Sequence, residues 1–237
     1  MMLVKTISIA LLALSLTACQ STARSEAQQT ADMKKVDNNQ GLIAHYKQKL
    51  EQNRDDQQAM EQISYAYFAE GDIESADFYS QHLIEQGVYS ASLWQLRGQI
   101  EQRKGNASAA IEAYLNANKL GNDSGKLHNL MGIAYTENNQ FDLAEQAFKT
   151  ARLSGYNDLA IKTNLSVLYI AQKQYHKAIS ILVPLTKQYP KNQKVAANLA
   201  IAFIRSGQIE QANEVLHTDY SYGELIQIES QLRNQTS

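Results

Sequence analysis

The side chains with most chemistry to offer are one cysteine and five histidines, and their spacing limits what they can do. Cys19 has no second thiol in the chain with which to form a disulfide. His45, His82, His128, His176 and His217 lie dozens of residues apart, with no H-x-x-x-H pair and no cysteine beside them, so they form no metal-ligand pattern. Asp55-Asp56 precedes an apolar-periodic segment, where carboxylates favour a helix N-terminus, and the pair reads as capping instead of a catalytic dyad. Neither a phosphate-cradling glycine loop nor a G-x-S-x-G elbow occurs, and no cofactor motif is present. The expectation is a protein that is not an enzyme and needs neither metal nor cofactor.

The elements around these residues come from composition and period. Only 2 prolines and 11 glycines interrupt 237 residues that are 44% hydrophobic, which favours an all-α fold with a continuous core. A formal net charge of −2, with Lys and Arg scattered and in no block, gives nucleic acid no footprint. At the N-terminus, Lys5, the apolar run Ile7 to Leu16, and Leu16-Thr17-Ala18-Cys19 form a segment too short to span a bilayer. That segment resembles a bacterial lipoprotein signal. The resemblance implies a signal peptide over 1–18, cleavage before Cys19 and acylation of its thiol. With Gln20 and Ser21 following, it also implies an outer-membrane anchor facing the periplasm. Residues 19–40 are polar and read as a lipidated flexible tether. A first helix is expected from about Gln40 to Asn53, with Ile43, Tyr46 and Leu50 on one face.

From Gln57, Ala91, Gly125, Leu159 and Gln193 the chain repeats with a period of 34 and no insertion. The eighth place of each unit holds Ser64, Gly98, Gly132, Ser166 and Ala200, and the twentieth holds Ala76, Ala110, Ala144, Ala178 and Ala212. Two antiparallel helices approach closely only where side chains are small, with large apolar residues interdigitating around the crossing. Turns fall at the fifteenth place, where Gly71, Gly105, Asn139, Lys173 and Gly207 stand and where a left-handed residue ends a helix. Pro190 closes the fourth unit. A stack of hairpins leaves a last apolar face, and Ser221-x-x-Glu224 opens a helix able to cover it with Leu225, Ile228 and Leu232.

These residues resemble the tetratricopeptide repeat (TPR), most fully at Gly132-x-x-Tyr135, Ala144, Phe148 and Ala151. The resemblance implies an all-α TPR superhelix of about five hairpins spanning 41–234. Its repeats fall near 57–90, 91–124, 125–158, 159–192 and 193–219, with a capping helix at 222–233. Arg97 and Glu101 stand where the family is usually apolar, so the second repeat is expected to pack loosely. The family's inner groove maps onto Tyr65, Phe68, Gln99, Arg103, Asn129, Ile133, Val167, Ile170, Ile201 and Ile204, the expected partner-binding residues. Their pattern lacks the Lys/Asn signature of carboxylate-clamp members. A lipobox, a polar tether, TPR units and the run Val195 to Leu216 together are similar to the TadD-type lipoproteins of the Tad (Flp pilus) apparatus. That likeness implies a scaffold for a secretin or other pilus assembly components. Type IV pilus pilotins, and adaptors for barrel assembly or peptidoglycan hydrolases, share this architecture. Oligomeric state stays open.

Overall fold

The computed structural model describes residues 26–216 and, near the C-terminus, residues 223, 224, 226–228 and 230. The described residues contain helices and no strand. They fall into two compact units, the first ending at Tyr89 and the second beginning at Ser90. Unit 1 contains α1 (covering 26–35), α2 (Asn39–Gln52), α3 (Gln57–Glu70) and α4 (Ile73–Glu85). Unit 2 contains α5 (Ala91–Arg103), α6 (Ala107–Lys119), α7 (Gly125–Glu137), α8 (Phe141–Leu153), α9 (Asp158–Ala171), α10 (Tyr175–Gln188), α11 (Gln193–Arg205) and α12 (Ile209–Leu216).

Each hairpin closes where the small residues meet. All five alanines of the twentieth place are fully buried. In unit 1 the Ser64 hydroxyl donates to the Ala76 carbonyl at 2.9 Å, bridging the eighth and twentieth places of one hairpin. In unit 2 the eighth place trades volume with the residue one turn beyond the alanine. A Cβ on Gly98 would fall 2.2 Å from the Tyr114 ring, and one on Gly132 would fall 2.5 Å from the Phe148 ring. Where Ser166 and Ala200 replace glycine, the opposing residues shrink to Leu182 and Leu216. Glycine here makes room for a ring, and the ring fills the space that glycine leaves.

Helix ends follow local chemistry. First helices are capped by Asp56, Ser90, Ser124, Asn157 and Asn192, whose side chains accept the backbone N–H three residues on. The fifteenth place is left-handed in every repeat, at Gly71, Gly105, Asn139, Lys173 and Gly207. Lys173, at φ 61, holds that conformation without glycine's freedom.

Two expectations fail. The first is the tether: residues 26–35 form a helix, and the phase of 34 continues into them. Asp37, 34 residues before Gly71, has φ 52, and α2 begins 34 residues before α4. The α1/α2 pair is therefore a further hairpin upstream of the expected first repeat. Its polar composition misled because the side of α1 that is partly buried carries Glu26, Thr30 and Met33, and an ion pair with Lys49 helps to hold it. Glu26 Oε1 lies 2.8 Å from Lys49 Nζ and 3.3 Å from His45 Nε2. The Lys49 hydrogen bond, above all, holds the Glu26 carboxyl below its ordinary range. The second failure is loose packing of the Arg97–Glu101 repeat. Leu93, Leu96, Ile100 and Tyr114 are fully buried there. Glu101 accepts from Arg97 at 3.1 Å, Lys104 at 3.0 Å and Asn106 at 2.8 Å, so its carboxylate enters the interior with its hydrogen bonds made.

Parts of the capping helix, including Ser221, Leu225 and Leu232, lie outside the described residues. Ile228 packs against the apolar cluster of Leu182, Val195, Leu199 and Phe203.

Candidate partner-binding face

In unit 2 the first helices α5, α7, α9 and α11 touch in succession, so residues at equal places form rungs one helix apart. The ninth place runs Gln99, Ile133, Val167, Ile201. Gln99 and Ile133 are half-buried, while Val167 and Ile201 keep 39% and 40% of their surface exposed. Ile133 and Val167 open into a pocket of about 260 Å³. Thr136, Phe148 and Asn164 line it too, and Glu137 and Lys194 bring opposite charges to it.

The rungs are braced by amides. Gln102 Nε2 donates to Glu137 Oε2 at 2.9 Å, and Asn164 Nδ2 donates to Asn129 Oδ1 at 2.8 Å. Behind the first brace, the buried Tyr114 hydroxyl donates to Gln102. Burial, with the Glu137 charge second, pushes the Tyr114 hydroxyl well above its usual range. Tyr114 is thus a neutral donor that ties the core of α6 to the carboxylate on the face.

The expected groove residues sort by depth. Ile133, Val167, Ile170, Ile201, Gln99 and Arg103 retain accessible surface. Asn129 and Ile204 are buried, at 5% and 3% exposure, Asn129 as acceptor of the Asn164 brace and Ile204 within the apolar core. Tyr65 and Phe68 are half-buried on α3 within unit 1. There a separate aromatic run begins, with Lys47 5.7 Å above the Tyr67 ring and Tyr67 stacked on Tyr79 at 5.9 Å. Residue-type reasoning missed Lys194 and Asn164, which join the pocket through the second and sixth places.

The histidines stay apart. His128 Nε2 and Asp123 Oδ1 are 2.6 Å apart, a contact that lowers the Asp123 carboxyl below its usual range. His82 pairs with Gln86, and His176 is exposed. His217 and Cys19 lie outside the described residues. Among the described residues no group of three or more His, Cys, Asp or Glu is placed to hold a metal, and no helix is long and apolar enough to cross a membrane.

Charge divides between the units in a way the whole-chain balance hides. Residues 26–89 carry 5 Lys and Arg against 12 Asp and Glu, whereas residues 90–216 carry 14 against 9. Unit 1 is acidic and the described body of unit 2 basic.

Hairpins of this length, phase and small-residue crossing give the described residues a tetratricopeptide-repeat fold. The family described as "Tetratricopeptide repeat" matches residues 169–218. No curated protein sequence matches the chain. Among solved structures, the chain is similar to a tetratricopeptide repeat protein from Parabacteroides merdae (TM-score 0.68, 11% identity, covering 80% of this chain and 75% of that one). It is also similar to PilW, titled a widely conserved type IV pilus biogenesis factor (TM-score 0.59, 18% identity, 72% and 78%). A third is YrrB, titled a TPR protein with an unusual peptide-binding site (TM-score 0.56, 15% identity, 73% and 93%). At these identities the likeness is one of fold.

Proposed function

We propose that this protein is a lipid-anchored scaffold of the outer membrane that holds a segment of a partner protein against the inner face of unit 2. The observation that carries this reading is the accessible apolar ladder Ile133, Val167 and Ile201 with its pocket of about 260 Å³, a surface that fits side chains of a bound chain. Acylated Cys19 would fix the scaffold to the inner leaflet, and the face would raise the local concentration of its partner there. The partner in this reading is a secretin or another component of a Tad/Flp pilus apparatus, whose assembly or localisation the scaffold assists. A type IV pilus role, as pilotin, has its own support in the fold shared with PilW. A general periplasmic adaptor for barrel assembly or peptidoglycan hydrolases would use the same face.

The test is a crosslinking capture of the full-length protein from envelopes, with Val167→Glu plus Ile201→Glu as control, two changes at exposed positions. A pilus secretin recovered with the native protein and lost with the variant supports the reading. Barrel-assembly or cell-wall proteins recovered in that pattern overturn the pilus assignment, and equal recovery by both proteins removes the face as the site. Retention of a Cys19→Ser variant in the membrane fraction would sink the anchor.

A further inference from the structure

Resting on the inner-face reading, the charges around the ladder say what its occupant is made of. In the four repeats of unit 2 the second and thirteenth places flank the ladder, and they hold Lys126, Lys194, Arg103 and Arg205 against a single acid, Glu137. Lys194 lines the same pocket as Ile133 and Val167, which puts a lysine side chain beside the apolar rungs. Glu137 accepts the Gln102 amide, so part of its hydrogen-bonding capacity is already used within the face. Both arginines also have contacts within the chain, whereas Lys126 and Lys194 are exposed. This excess of cations lies on a unit that is itself basic, in a chain whose formal net charge is −2.

We infer that the occupant is an extended, acidic segment of a partner protein that sets one apolar side chain on each rung. Packed helices lie about 8–10 Å apart, which is the distance between neighbouring rungs. A polyproline-type chain returns to the same side every third residue, after about 9 Å. An apolar residue at every third position, with acidic residues between, therefore meets the ladder and its cationic border together. Acidic residues also keep such a segment extended before it binds, because like charges repel along the chain. Complementary charge speeds encounter and rejects basic competitors, while the apolar rungs supply the hold.

The experiment is isothermal titration of the full chain carrying Cys19→Ser with two synthetic peptides of equal length. One repeats a leucine followed by two glutamates, and the other replaces every glutamate by lysine. The acidic peptide is expected to bind about tenfold or more tightly than the basic one, and to weaken as salt is raised. In Lys126→Glu plus Lys194→Glu, both exposed positions, the preference is expected to reverse. Equal binding of the two peptides, with Ile201→Glu abolishing both, overturns the acidic-occupant inference and leaves the face as the binding site. If Ile201→Glu leaves binding of the acidic peptide unchanged, the face itself is not where peptides dock. Concentration-dependent self-association that the acidic peptide fails to compete away would make a second copy of this chain the occupant and overturn the inference.

Discussion

The first hairpin of unit 1 and the α7/α8 hairpin of unit 2 share a repeat phase but hold together by different means. In α7/α8 a glycine admits an aromatic ring, Ala144 lets the helices close, and Phe148 is 1% exposed. In α1/α2 the side of α1 that is partly buried offers a carboxylate, a hydroxyl and a thioether, and Glu26 reaches Lys49 and His45 from a half-exposed position. One repeat architecture thus tolerates two kinds of cement: close apolar packing, which resists strongly, and surface ion pairs, each worth little in water. The repeat phase comes from the turns and small residues, whereas strength comes from what fills the crossing.

The sharpest way to break that contrast is to empty the crossing. Phe148→Ala should cost about 3–5 kcal/mol, read as a lowered melting temperature and lost amide protection in α7 and α8. A loss below about 1 kcal/mol would mean that the ring is not what fills the hairpin. Next comes the buried carboxylate. Glu101→Ala removes the carboxylate that accepts from Arg97, Lys104 and Asn106 and should destabilise by about 1–3 kcal/mol, while Glu101→Leu should cost less than Glu101→Ala by refilling the volume. Equal losses in both variants would show that the lost hydrogen bonds, not the packing, were at fault. At the turn, Lys173→Gly should stabilise by about 0.5–1 kcal/mol by relieving the left-handed backbone, and denaturant melts would register a drop if Lys173 instead made a needed contact.

The smallest effect belongs to α1. The folded Glu26 carboxyl sits below its ordinary range, so its contribution is present above the unfolded-state value of about 4.3 and is lost as pH falls below that through the lowered folded value. Protection against hydrogen exchange in α1 should therefore hold from neutral pH down to about pH 4.3 and fall below that, relative to the intrinsic rate, with α7 and α8 unaffected. Matching behaviour in Glu26→Gln and the native protein would remove the ion pair from the account.

Most of the fold was written in residues that admit no other explanation. Ala76, Ala110, Ala144, Ala178 and Ala212 are all fully buried, and the fifteenth place is left-handed even at Lys173. The α1/α2 hairpin escaped notice because a hydropathy reading discards Glu26 and Thr30, although Asp37 stands at a turn place. Glu101 misled for a related reason: its partners Lys104 and Asn106 lie three and five residues on, and only the folded turn brings them back. The candidate face was legible as a set of places but not as depths. Ile201 and Ile204 are the same residue type on one helix, yet one is 40% exposed and the other 3%. Ile204 belongs to the apolar cluster with Leu182 and Val195, a membership that residue type does not record.

The α1/α2 hairpin also changes how far the protein can wander. If Cys19 carries the lipid, residues 20–25 are all that separate it from the first described helical residue, Glu26. The seven Cα steps from Cys19 to Glu26 reach at most about 25 Å, about a third of the roughly 70 Å that a leash of twenty residues could reach when extended. The scaffold would then behave as a mooring post, sweeping only a thin layer of periplasm beside the bilayer. Partners would have to arrive at that layer, so timing would be set by their own transit across the envelope.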